Sequence, residues 1–123
     1  MSMITVTNIK ATGETASRVT EGVAAASLNY KGTSTNSIRY SFNVSSVTDN
    51  TTGDYTTNFT NNMSSADYTV TAANGGDTTC DNVRIPKNAG SLAASGFSCN
   101  TVITGASIND ATYVFQTVHG DLA

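Results

Sequence analysis

The run Ile38-Arg39-Tyr40-Ser41-Phe42-Asn43-Val44 alternates apolar and polar residues without a break. Successive side chains of a strand point to opposite faces. Period two therefore places Ile38, Tyr40, Phe42 and Val44 on one buried face and Arg39, Ser41 and Asn43 on the other. On this reading the segment is one half-buried strand. Truncating Phe42 to alanine is then expected to cost about 3 to 5 kcal/mol, and Asn43→Ala far less.

Further segments carry the same pattern. Ser45 and Ser46 break the phase before Val47, and Asp49-Asn50-Thr51-Thr52-Gly53-Asp54 supplies turn residues. Tyr55 to Thr60 restarts the alternation with Tyr55, Thr57 and Phe59 on one side, so these segments read as a β-hairpin. After the polar connection 61–66, Tyr68 to Ala72 alternates again; strand, turn, strand at roughly ten-residue spacing is the signature of an antiparallel sandwich or barrel. Phe97 to Thr104 and Thr112 to His119 have strand character. The last of these carries Tyr113 and Phe115 on one face and Val114 and Val118 on the other, which implies cover on both sides, the second cover being another subunit. Met3 to Ile9 reads as a strand and 14–26 as irregular, with Ala26, Leu28 and Tyr30 entering the next strand.

Composition supports a β fold. Thr (21), Ser (14) and Asn (13) make up 48 of 123 residues, whereas Glu occurs twice and Lys three times. A helical bundle needs Leu, Glu, Lys and Ala in amphipathic order, while a Thr/Asn/Gly-rich chain reads as short strands joined by turns. The length suits one compact domain, with an N-terminal strand and irregular segment over 1–27 and the main module over 28–123. The expected architecture is an all-β antiparallel sandwich, jelly-roll-like, with one long irregular loop from Ala73 to Gly96. Gly75, Gly76, Pro86, Gly90 and Gly96 punctuate that stretch, and long connections of this kind tend to bind. It gathers Asn74, Asp77, Asp81, Asn82, Arg84 and Lys87 as the candidate binding set. Cys80 and Cys99 bracket its second part; a disulfide between them would add about 3 kcal/mol in the loop-entropy model, and two separately buried thiols are an equal reading.

Several function classes are disfavoured. Charged residues are 12 % of the chain, the net charge is −3, and the six basic residues are scattered, so nucleic acid is not an expected partner. No stretch is apolar enough for membrane insertion, and MSMITVTNIK lacks the basic and apolar regions of a signal peptide. Zinc needs about four closely spaced Cys/His ligands, which Cys80, Cys99 and His119 do not supply, and the acidic loop 49–54 misses the helix-loop-helix calcium pattern. His119 lies near the C-terminus with no marked serine beside it, and most carboxylates fall in turns where solvated capping explains them. Neither an enzyme nor a cofactor is expected.

The run from Ser37 to Thr60, SIRYSFNVSSVTDNTTGDYTTNFT, followed by NNMSSADYTV to Val70, resembles a segment recurrent in tail-fibre and other virion structural proteins of phages, notably those of marine bacteria and cyanobacteria. Asn29-Tyr30-Lys31-Gly32-Thr33 is similar to the Asn-Phe-Asn-Gly-Thr step of that family, and Val118 to Leu122 resembles its C-terminal strand ending in Gly. The resemblance spans about 28–120. A Trp usual before the Asn-Phe-Asn-Gly step is absent, Tyr40 replaces a polar residue and Thr57 a Val. The resemblance implies a virion protein, a tail-fibre or receptor-binding component acting in host attachment, assembled as a homotrimer among other tail or capsid proteins. Its ligand would be a host surface glycan or protein. The alternative is a capsid decoration or head-fibre protein with a cementing or display role.

Overall fold

The computed structural model describes residues 2–9, 12, 18–19, 22–76, 80–103 and 107–123. Eleven strands run through them: β1 (Asn8–Ile9), β2 (Arg18–Val19), β3 (Ala26–Lys31), β4 (Ser37–Phe42), β5 (Val44–Thr51), β6 (Asp54–Phe59), β7 (Thr69–Gly75), β8 (Cys80–Arg84), β9 (Leu92–Ala93), β10 (Gly96–Ile103) and β11 (Tyr113–His119). β1 and β2 form a small ribbon. The others make a four-stranded sheet in the order β4-β3-β11-β7 and a five-stranded sheet in the order β5-β6-β10-β8, with β9 also paired to β10. All pairings are antiparallel. The two sheets pack face to face as a β-sandwich.

Alternation builds the core from both sides. β3 turns Ala26, Leu28 and Tyr30 inward, β11 turns Val114, Gln116 and Val118 inward, and β6 answers with Tyr55, Thr57 and Phe59. Phe97 and Cys99 of β10 complete the centre, where Phe59, Tyr68 and Phe97 form a group of tilted and edge-on rings. A polar chain crosses the middle of this apolar layer. The buried Thr57 hydroxyl donates to Gln116 Oε1 at 2.7 Å, and Gln116 Nε2 donates to Cys99 Sγ at 3.3 Å. Buried polar atoms are costly unless paired, so the pairing fixes how the sheets sit on each other.

At one end of the sandwich Tyr30 and Tyr55 meet edge to face at 5.2 Å, and the Tyr55 hydroxyl donates to Asp110 Oδ1 at 2.7 Å. The same carboxylate oxygen accepts the Gly53 amide at 2.7 Å. Gly53 has φ +63° in the β5–β6 turn, and a Cβ there would sit 2.6 Å from the Asn109 carbonyl oxygen, so only glycine suits the site. The hairpin expected around 49–54 is this one, joining β5 to β6.

Four expectations need correction. The strand read over Ile38 to Val44 is two strands in two sheets. Asn43 adopts φ +54° and turns the chain out of β4 into β5, so Val44 is buried while every residue of β4 is exposed. β4 is an edge strand whose Tyr40 and Phe42 face outward, opposite Asn29 and Ser27 of β3. The long irregular loop from Ala73 to Gly96 is largely strand: β7 runs on to Gly75, β8 pairs with β10, and irregular backbone covers 85–91, with a cis Ile85–Pro86 bond. A ladder to a partner distant in the chain needs no apolar alternation, which is why residues 80–84 hide in a polar stretch. Met3 to Thr7 lie outside any strand, and only Asn8–Ile9 pairs. Of the two equal readings of the cysteines, Cys99 matches the one with a free buried thiol. The register sets Cys80 opposite Ile103, four residues along β10 from Cys99, about 13 Å by strand rise and beyond disulfide reach. The segment read as irregular over 14–26 contains β2 at Arg18–Val19, while residues 14–17 and 20–21 lie outside the described residues.

Candidate functional site

The outer faces of the two sheets differ in chemistry. On the five-stranded sheet, amides and hydroxyls bond to one another: Asn50 Nδ2 donates to Asp54 Oδ1 and Thr56 Oγ1, each at 3.0 Å, and Thr56 and Ser98 share a hydrogen bond at 2.8 Å. Asn58 Nδ2 donates to Ser46 and Thr48. This face spends its polar groups internally.

The four-stranded sheet shows water an aromatic face. Alternation that buries Val114, Gln116 and Val118 must expose Tyr113 and Phe115, and the register aligns Phe115 with Asn29 of β3 and Asn29 with Tyr40 of β4. One row across the sheet thus reads Tyr40, Asn29, Phe115, Ala73, and the next reads Phe42, Ser27, Thr117, Thr71. Tyr40 is 61 % exposed, Phe42 51 %, Phe115 43 % and Tyr113 39 %. The rings of Tyr113 and Phe115 stack at 5.8 Å with only 9° between their planes. The Arg39 guanidinium lies 4.1 Å over the Tyr113 ring while Nη1 donates to the Thr112 carbonyl at 2.6 Å. Arg39 is thereby locked as part of the surface, since a guanidinium stacked and hydrogen-bonded at once loses little further freedom on binding. Asn29, in the first of these rows, has its Oδ1 buried without a hydrogen-bond partner.

Charge follows the same division. β3, β4, β7 and β11 contain Lys31, Arg39 and His119 and not one Asp or Glu, in a chain with nine carboxylates. Neither Lys31 nor Arg39 pairs with a carboxylate among the described residues. The opposite sheet carries Asp49, Asp54 and Asp81.

The candidate set from the 73–96 segment is dispersed. Asn74 Nδ2 donates to the Asn82 carbonyl at 3.0 Å, which bridges β7 to β8. Lys87 is committed to Asp54, with Nζ 2.7 Å from Oδ2 and 3.0 Å from Oδ1. Burial alone would raise the Asp54 carboxyl; hydrogen bonds from Lys87 and Asn50 and the Lys87 charge outweigh it and hold the group below its usual range. Arg84 and Asn82 are exposed. Asp81 lies in β8 and Asp77 lies outside the described residues. Asn74 and Asn82 are brought together, and Lys87 is drawn to a different element.

His119 lines an open cleft of about 340 Å³ with Ser64, Ser65, Asp67, Tyr68 and Asp121. Its ring makes no hydrogen bond to a described residue, and Ser65 and Asp67 bond to each other. Burial pushes the Cys99 thiol up to about 12. It also raises Tyr30 to about 12, with Asp49 and Asp110 adding to the effect. At neutral pH these are a thiol and a phenol rather than anions.

Alternation in the sequence assigns Tyr40 and Phe42 to the core and gives Tyr113 and Phe115 a second apolar face. The signal that joins the four is the absence of carboxylates from the strands that carry them. No family model, curated protein or solved structure matches this chain.

Proposed function

We propose that this chain is a virion structural protein of a phage, a tail-fibre or receptor-binding component that attaches the particle to its host by non-covalent contact. The observation that carries the reading is the row of exposed aromatics on β4 and β11. Four large rings held open to water on a rigid sheet cost hydrophobic free energy unless something covers them. Solvated hydroxyl faces such as that of the other sheet need no partner. The resemblance of 28–120 to phage fibre proteins supports a particle-borne role. Weak single contacts suffice there, because copies held together, as in a homotrimer, raise the effective concentration of one another.

The test is direct. Immunogold labelling of virions that contain the chain should mark the tail tip, and excess free protein should slow adsorption of those particles to their host. Label confined to the head, with adsorption unchanged, would establish the decoration or head-fibre role instead.

A further inference from the structure

We infer that the outer face of the β4-β3-β11-β7 sheet binds an acidic polysaccharide, a chain of sugar rings bearing carboxylates. The inference rests on the attachment reading above and names its ligand. Three features converge on that chemistry.

The first is shape. Tyr113 and Phe115 stack with only 9° between their planes, and Tyr40 stands two strands from Phe115, about 10 Å away at the usual strand spacing. Exposed rings about 10 Å apart across a sheet suit the apolar C–H faces of sugar rings, whereas a packed protein core demands interdigitating side chains.

The second is charge. In a net −3 chain the four strands of this sheet hold no Asp or Glu and carry Lys31 and Arg39. β3 alternates burial so that Lys31 shares the outward side with Asn29 and Ser27. Arg39 is fixed beside the aromatic pair by its contacts to Tyr113 and the Thr112 carbonyl. Charge complementarity selects an anion, and a carboxylate matches cationic donors of this kind. A second copy of this chain offers its hydroxyl-rich outer sheet, which already satisfies its own hydrogen bonds.

The third is the orphan acceptor. Asn29 Oδ1 sits in the row between Tyr40 and Phe115 with no partner. Tyr40, opposite Asn29 in the register, is more than half exposed, and a shift of its ring on binding would let a sugar hydroxyl donate to Asn29 Oδ1. That repairs a buried polar group left unmade in the free protein.

The experiment is affinity electrophoresis and calorimetry of the full chain with polygalacturonate, and with neutral dextran as control. Polygalacturonate should retard the protein and dextran should not. Tyr40→Ala and Phe115→Ser should each weaken binding about ten-fold at unchanged charge, and Lys31→Gln should weaken it several-fold and flatten its salt dependence. Thermal melts verify that these surface variants remain folded. Three results would overturn the inference: no retardation by polygalacturonate, binding indifferent to Tyr40→Ala and Phe115→Ser, or sedimentation showing an oligomer that Tyr40→Ala dissociates, since the face would then belong to a second copy. If polygalacturonate fails while free protein still slows adsorption, the ligand assignment falls and the attachment role stands. If polygalacturonate binds but the chain is absent from the tail, the reverse holds.

Discussion

Asn43 holds more of the fold than its place in an alternating run suggests. Its φ of +54° is tolerated by Asn and disfavoured for residues with larger or branched side chains. Its Nδ2 donates to the Ala25 carbonyl at 3.0 Å and the Asn61 carbonyl at 3.1 Å, and its Oδ1 accepts the Asn61 amide at 2.7 Å. One side chain therefore ties the start of β3, the β4–β5 crossing and the end of the β6 hairpin. Asn43→Ala removes these bonds, together with one from Asn61 Nδ2 to Oδ1, and keeps the strained backbone, so it should cost about 2 to 4 kcal/mol. Phe42→Ala should cost under about 1 kcal/mol, because Phe42 is half exposed on an edge strand. Urea melts of the two variants check this. The order reverses the one that strict alternation predicts, and Asn43→Gly should recover only the backbone share of the loss. Equal midpoints for Phe42→Ala and Asn43→Ala would mean that the chain does not cross between sheets at residue 43.

The elements divide into those that alternation reveals and those that long-range pairing creates. β3, β6 and β11 each bury one face against the same core, so their period-two pattern is legible in the amino-acid sequence at Tyr30, Thr57 and Val114. β8 is not legible in this way, because its partner β10 lies across the connection 85–91 and its residues Asn82 and Arg84 face solvent. β4 misleads for a related reason: an edge strand with exposed aromatic side chains has the same alternation as a core strand, and which side is covered depends on the other sheet. The binding candidates in 73–96 stand out as polar residues in an apparent loop, and once β7 and β8 form, the polar groups of Asn74 and Lys87 serve structure. Lys87 shows it, since its ion pair with Asp54 pins the 85–91 connection to β6. The folded Asp54 carboxyl titrates below its unfolded value, so the pair stabilises above the ordinary carboxylate range near pH 4, and that stabilisation is lost as pH falls through the folded value. Lys87→Met should therefore lower the melting temperature at pH 7, by an amount equivalent to about 1 kcal/mol, and approach the parent as the pH falls below the folded value of that carboxyl. Calorimetry across that range decides it, and a difference that does not shrink on acidification would assign the loss to packing of the lysine stem.

As a whole, the molecule is a sandwich with one face turned to itself and one turned outward, stitched through the middle by Thr57, Gln116 and Cys99. The stitch crosses between sheets, so the Cys99 thiol is reached only when the sandwich opens. In the native protein at pH 8 iodoacetamide should leave Cys99 unmodified, for two reasons that act together: the sulfur is enclosed, and its proton is held to about pH 12 by burial. Reductant should leave the Cys99 peptide unchanged, because that thiol is not oxidised. Thr57→Val keeps the shape of the side chain and leaves Gln116 Oε1 buried without its donor, a loss of about 1 to 3 kcal/mol. While reclosing outpaces alkylation, labelling tracks the open population, so this variant should label Cys99 about 5 to 150 times faster than the parent at unchanged pH. The surface variant Tyr40→Ala lies on the outer face and should leave the rate where it was. Peptide mapping by mass spectrometry reads Cys99 separately from Cys80. Equal rates for Thr57→Val and the parent would mean that the sheets are held by the apolar layer alone and that the polar chain between them contributes nothing to keeping the sandwich shut.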